Sequence, residues 1–181
     1  MGVQQPNDVS VMTAEKVRDA TWEDLPRIVE IYNASIPGRL ATSDLEPVTV
    51  ESRRDWFASH RADRYPLWVY EVDGRVLGWI GLRAFYGRPA YHATAETAIY
   101  IAPEAQGQGI ARELLCLMQT RAPELGLRTL LAFIFRHNDS SVRLFSKAGF
   151  VKWGDFPEVA ELDGVWRDLW ILGWKTESPE R

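Results

Sequence analysis

Thr97-Ala98-Ile99-Tyr100-Ile101-Ala102-Pro103, leading into Gln106-Gly107-Gln108-Gly109-Ile110-Ala111-Arg112, is the stretch whose reading decides the fold. A short apolar strand stops at a proline, passes two glycines and enters a segment where Ile110, Leu114, Leu115 and Met118 recur at helical spacing. Glycine lets a backbone approach an anion closely. The first N–H groups of a helix have no partner within it and point outward, where the helix dipole favours negative charge. Strand, glycine loop and helix start together predict a cradle for a pyrophosphate, built from the backbone of residues 107–112.

Two better-known phosphate loops do not fit. A Walker A loop needs Gly-Lys followed by Ser or Thr, and this segment has no lysine. The dinucleotide fingerprint needs a glycine where Arg112 stands, to let helix and strand pack closely.

On the N-terminal side, Val17-Arg18-Asp19-Ala20 reads as a short strand, and Thr21 with Asp24 forms a capping-box pattern before Leu25, Ile28, Val29 and Tyr32 at helical spacing. The stretch 34–49 contains Pro37, Gly38 and Pro47 and reads as a loop on the substrate side, followed by a second helix over 50–60. Asp73-Gly74 joins two apolar runs, 67–72 and 75–82, as a hairpin; Asp163-Gly164 does the same for 158–162 and 165–174. Residues 129–135 form an almost uninterrupted apolar run, as a central strand requires, and Asn138-Asp139-Ser140 opens a helix that ends at Gly149. The resulting order, β-α-α-β-β-β-α-β-α-β-β, predicts an α/β domain with a mixed, mostly antiparallel sheet flanked by helices over 16–176, between short tails at 1–15 and 177–181.

The whole chain, 181 residues with 46% hydrophobic and 25% charged, suffices for one domain with a full core. A formal charge of -4 and the absence of a Lys/Arg run argue against nucleic acid or an anionic membrane as partner, and favour a small molecule. The single Cys116 excludes an internal disulfide and reads as a core residue; no metal-ligand cluster is visible. No stretch approaches the roughly 18 apolar residues of a membrane span and no signal core opens the chain, so a cytoplasmic protein is expected.

The pattern Gln106-x-x-Gly109-x-Ala111 after a strand resembles the acetyl-CoA loop of the Gcn5-related N-acetyltransferases (GNAT), and the order of elements from Val17 to Lys175 is similar to theirs. Within that superfamily, Val17-Arg18-x-Ala20, Ile31-Tyr32-Asn33, Arg88-x-Ala90-Tyr91, Glu96-Thr97-x-Ile99-Tyr100-Ile101 and Asn138-Asp139-x-Ser141-Val142-Arg143-Leu144 resemble the branch acting on phosphinothricin and methionine sulfone or sulfoximine. The resemblance implies acetyl-CoA as cosubstrate, no metal, a small amine as acceptor and a homodimer. It places backbone of Ile99, Tyr100 and Ile101 against pantetheine, and residues Gln106, Gly107, Gln108, Gly109, Ile110, Ala111 and Arg112 at the pyrophosphate. Asn138, Ser141 and Phe145 complete the cofactor side.

Acetyl transfer needs a neutral amine, so a group must take a proton from the ammonium. The resemblance matches Glu96 to the proposed catalytic glutamate, and His137 is the second candidate base. Many family members carry a tyrosine, able to protonate the leaving thiolate, where this chain has Phe145, which cannot donate. Arg83 and Arg88 suit capture of a carboxylate or phosphinate, with Tyr32, Phe85, Tyr86, Tyr91 and Trp166 as candidate pocket walls. Two other functions fit less well: acetylation of a protein N-terminus or another amine, which needs a long open groove, and a silent acyl-CoA sensor, at odds with keeping both the loop and Glu96.

Overall fold

The computed structural model describes residues 16–176, so the two expected tails lie outside the described residues. Among these, seven strands form one sheet: β1 (Val17–Asp19), β2 (Leu67–Val72), β3 (Arg75–Ala84), β4 (Thr94–Ile101), β5 (Thr129–Phe135), β6 (Val151–Leu162) and β7 (Val165–Lys175), in the spatial order β1-β2-β3-β4-β5-β7-β6. Helices α1 (Leu25–Ala34), α2 (Arg54–Ala58), α3 (Ile110–Arg121) and α4 (Asp139–Lys147) complete the element order expected from the sequence. Both Asp-Gly turns are tight hairpins in which aspartate and glycine take positive φ, 50° and 74° at Asp73-Gly74 and 50° and 79° at Asp163-Gly164.

Side-chain alternation divides the central strands between two layers. Ile80 and Leu82 of β3 are fully buried on the face that carries α3, where Tyr70 of β2 bonds Glu113 of that helix at 3.0 Å. Trp79, Gly81 and Arg83 face the other way, toward α1, and the Trp79 indole N–H donates to the Ile28 carbonyl at 3.2 Å. The β3–β4 register puts Tyr100, Ala98 and Glu96 opposite Trp79, Gly81 and Arg83, so these six share the α1 face.

The one parallel pair in this sheet is β4 with β5, and it is short. Thr94, Ala95 and Glu96 pair with Thr129, Leu130 and Leu131. Beyond that point β4 continues to Ile101, whereas β5 stays in register with β7 as far as Phe135 opposite Leu169. The two strands therefore splay apart, and a wedge opens in the middle of the sheet at the level of Glu96.

Three local expectations need correction. The strand expected from Glu158 begins at Val151, because two register shifts, between Lys152 and Gly154 and between Phe156 and Ala160, break its alternation. Pro157 is tolerated there because β6 is an edge strand. The helix expected over 50–60 is a 3₁₀ turn, Glu51–Arg53, followed by one short α-helical segment that ends before His60. Cys116 is exposed on α3: it lies two residues past Leu114, about 200° round the helix from that buried position.

Candidate active site

At the end of β4 the chain turns through Pro103–Ala105 into the glycine loop. Gly107 and Gly109 have φ of +75° and +85°, a left-handed conformation that other residues adopt at a cost. A Cβ at either glycine would project into open space, with no atom within 4 Å. Gly109 is the N-cap of α3, and the first backbone bond made into that helix runs from the Glu113 N–H to the Gly109 carbonyl at 3.1 Å. The Gln106 and Gln108 amides fold back onto the Ile101 and Glu104 carbonyls at 3.4 and 3.2 Å. Buried Ile110 anchors the helix start from below. The backbone of residues 107–112 thus forms an exposed turn into a helix start, whose first N–H groups have no partner within the helix.

Beside it the wedge opens into a cavity of about 560 Å³, within the usual range for small-molecule sites. Ile99 and Tyr100 line it from β4, residues 132–135 from β5, Asn138 and Ser141 from the start of α4, and Phe145 from its last turn. Its other wall is α1 with the loop 40–44, and its floor is the α1 face of β3 and β4. The loop covers one side of the cavity, which is otherwise half open to solvent.

Glu96 lies on that floor with its side chain 25% exposed, and its carboxylate accepts from Arg83 Nη2 at 2.8 Å. Opposite, Tyr32 donates from its hydroxyl to Asp44 at 2.5 Å, and Arg53 bonds the same carboxylate at 2.8 Å while its guanidinium sits 4.7 Å above the Tyr32 ring. Burial and the neighbouring Asp44 push the Tyr32 phenol above its ordinary pKa. Burial also pushes up Tyr100, whose hydroxyl donates to the Ala41 carbonyl at 3.0 Å. Both phenols are therefore neutral hydrogen-bond donors at physiological pH.

The loop 36–49 is fastened over the cavity by its own backbone. Besides the Tyr100 bond to Ala41, the His137 Nε2–H donates to the Arg39 carbonyl at 2.8 Å and Asn138 Nδ2 donates to the Leu40 carbonyl at 3.1 Å. Asn138 Oδ1 accepts from the Ser141 N–H at 3.2 Å and from the Ser140 hydroxyl at 3.1 Å. Both ends of its side chain are thus committed within the protein, as a loop fastener and helix cap. The His137 ring points at the loop rather than the cavity.

Of the residues singled out by sequence, the structure gathers Glu96, Arg83, Tyr32, Ile99, Tyr100, Asn138, Ser141 and Phe145 around one pocket. Phe145 is buried edge-on against Phe150, 5.0 Å between centroids. Phe85, Tyr86 and Tyr91 instead pack against one another outside it, tilted or edge-on, at 4.3 to 5.9 Å between centroids, with Arg88 exposed beside them and Trp166 exposed on β7. Sequence reasoning missed Thr42, Asp44, Arg53, Trp56 and His60, which all line the cavity. Their signal was faint: only Gly81, a glycine inside a buried strand, marks a close approach from another element.

A strand pair that opens at its centre, a backbone anion cradle at the end of one strand and a carboxylate at the mouth of the opening define an acyl-CoA-dependent transferase. The family model of the acetyltransferase (GNAT) family matches residues 25–150. The chain belongs to this family and is an N-acetyltransferase. It is 49% identical over 158 residues, 87% of this chain and 96% of the other, to YwnH of Bacillus subtilis (strain 168), a provisional phosphinothricin acetyltransferase. It is 31% identical over 157 residues, 86% of this chain and 91% of the other, to the L-methionine sulfoximine/L-methionine sulfone acetyltransferase of Pseudomonas aeruginosa PAO1. A solved phosphinothricin acetyltransferase from Sinorhizobium meliloti, in complex with acetyl-CoA, superposes with a TM-score of 0.82 at 32% identity, covering 88% of this chain and 86% of that one. No helix among the described residues is long and apolar enough to cross a membrane.

Proposed function

We propose that this chain acetylates the primary amine of a small amino-acid-like substrate of the phosphinothricin, methionine sulfone or methionine sulfoximine type. The observation that carries the reading is the Arg83–Glu96 pair on the floor of a half-open pocket of about 560 Å³ beside the strand wedge. Pantetheine fits the wedge, where the peptide groups of β4 beyond Glu96 lack a partner on β5 and accept an added strand-like ligand. The pyrophosphate fits the cradle of residues 107–112. Acetyl-CoA supplies an activated thioester carbonyl there.

Arg83 uses one of its N–H groups on Glu96, and its remaining donors suit the carboxylate, phosphinate or sulfone oxygens of the acceptor. Glu96 takes a proton from the substrate ammonium, freeing the nitrogen lone pair. The amine nitrogen attacks the thioester carbonyl carbon; the C–N bond forms, the C–S bond breaks, and its electron pair leaves on sulfur. The second nitrogen proton passes to solvent or to the thiolate, since Phe145 offers none. The pocket volume and the Arg83 guanidinium at its floor support a small anionic or strongly polar acceptor over a protein N-terminus. The homodimer implied by the resemblance belongs to this reading, supported by the exposed aromatic cluster of Phe85, Tyr86 and Tyr91.

Release of free CoA, measured with a panel of these amino acid analogues and simple alkylamines, tests the reading. Turnover of the analogues and not of the alkylamines is expected. Equal turnover of both removes the amino-acid-like acceptor.

A further inference from the structure

One polar atom at the pocket has no role in the chemistry above. His60 follows the end of α2, and its ring packs edge-on against Trp56 at 4.7 Å between centroids. Its Nδ1 lies 2.9 Å from the Trp56 carbonyl, which can only accept, so Nδ1 carries the proton. In the neutral ring Nε2 is then a bare lone pair. That atom is buried, lies in a residue that lines the cavity, and bonds no protein group. A buried acceptor left without a partner costs stability, so its retention calls for an explanation.

The sheet is shaped to admit this ring. Gly81 of β3 lies beneath it, and a Cβ at that position would stand 3.2 Å from His60 Nε2. Any side chain there would push the imidazole tip out of place. Gly81 shares its face with Arg83, two residues along β3, and Arg83 lies opposite Glu96 on β4. Two residues of strand span about 7 Å. His60 and Glu96 therefore line the same cavity, with Nε2 seated over Gly81, the next residue on that face of β3 from the Arg83 that pairs with Glu96. Burial, with the Arg83 charge adding to it, lowers the His60 pKa and keeps the ring neutral, so the lone pair stays available.

We infer that His60 Nε2 accepts a hydrogen bond from an N–H of the acceptor amine, holding the nitrogen between His60 and Glu96 so that its lone pair is aimed at the thioester. This assignment rests on the proposed acetyl transfer and adds to it a substrate-binding residue. An amine donates to two acceptors at once, whereas a hydroxyl has a single proton to give and cannot satisfy both; His60 thereby favours nitrogen over oxygen acceptors.

The test compares His60→Phe, which keeps a ring of similar size and removes the acceptor, with His60→Gln, which restores an acceptor near the Nε2 position. Initial rates are measured against acceptor amine and acetyl-CoA separately, with melting temperature as the folding control. His60→Phe is expected to raise the amine KM about tenfold, the loss of one buried hydrogen bond, with the acetyl-CoA KM within twofold of wild type. His60→Gln is expected to recover most of the amine KM. A folded His60→Phe enzyme with unchanged amine KM overturns the inference, as does an effect confined to melting temperature, which marks Nε2 as the partner of a structural water. If wild type itself releases no CoA with any amine, the proposed function falls and this inference with it. If both variants fail to fold, Gly81→Ala reads the same contact by displacing Nε2, and an unchanged amine KM in that variant overturns the inference.

Discussion

Replacing Gly109 by alanine separates the anion cradle from the rest of the fold. Its φ of +85° makes any side chain there strained, by about 1–2 kcal/mol, partly offset by the stiffer unfolded chain. A net loss near 1 kcal/mol lowers the melting temperature of a chain this size by about 2–4 °C, so the variant folds. The added methyl meets no protein atom within 4 Å and projects into open space at the N-cap of α3. If it denies the pyrophosphate two charge-assisted hydrogen bonds, the loss is at least about 3 kcal/mol, or on the order of 10²-fold in Kd. Calorimetric titration with acetyl-CoA reads this directly. Gly164→Ala is the control: its φ of +79° carries the same strain and its surroundings are equally open, but it lies in the β6–β7 turn. It is expected to lose the same stability and none of the affinity. A folded Gly109→Ala protein that binds acetyl-CoA within about threefold of wild type refutes the assignment of the cradle.

Glu96→Gln keeps the shape and one hydrogen bond but takes no proton at neutral pH; kcat is expected to fall on the order of 10²-fold with acetyl-CoA affinity unchanged, and a near wild-type kcat assigns the proton to another group. His137→Ala removes a loop fastener rather than a group at the reacting centre, so the amine KM is expected to rise while the pH profile of kcat keeps its shape; loss of the limb on which kcat rises with pH would make His137 the base. Asp24 is held below the usual carboxylate pKa chiefly by its bonds to Arg18, at 2.6 and 2.9 Å. Its contribution, about 1 kcal/mol given the partly exposed arginine, is present above about pH 4 and lost as pH falls through the lowered folded value. Asp24→Asn should therefore destabilise at pH 7 and flatten the acid limb of a stability-against-pH curve; an unaltered limb excludes the pair as its source.

What the sequence made legible follows from how local each signal is. The glycine loop, both Asp-Gly hairpins and the stripe Ile110, Leu114, Leu115, Met118 are fixed by neighbouring residues, and the structure has them where spacing places them. Glu96 and Arg83 are 13 residues apart, yet the register of one hairpin pairs them. The acceptor side of the pocket was not legible, because Arg53, Asp44 and His60 reach it from a loop and a short helix with no periodic pattern. The aromatic-rich stretch 85–91 has the composition of a pocket wall, but its rings satisfy one another outside the cavity. Composition reports what a segment can bury, and only tertiary contact decides against what.

The loop over the pocket is held at three consecutive residues, Arg39, Leu40 and Ala41, and in each case by the main-chain carbonyl. Every amino acid brings the same carbonyl, so these fasteners are indifferent to which side chains the loop carries. Leu40 and Ser43 line the cavity and can be exchanged without touching these bonds, whereas Thr42 and Asp44 add side-chain bonds to Tyr32 and Arg53. Position is fixed in the backbone while recognition is written in replaceable letters. A lineage under pressure to accept a new amine can thus explore this loop one substitution at a time, with the transfer machinery on β4 left untouched.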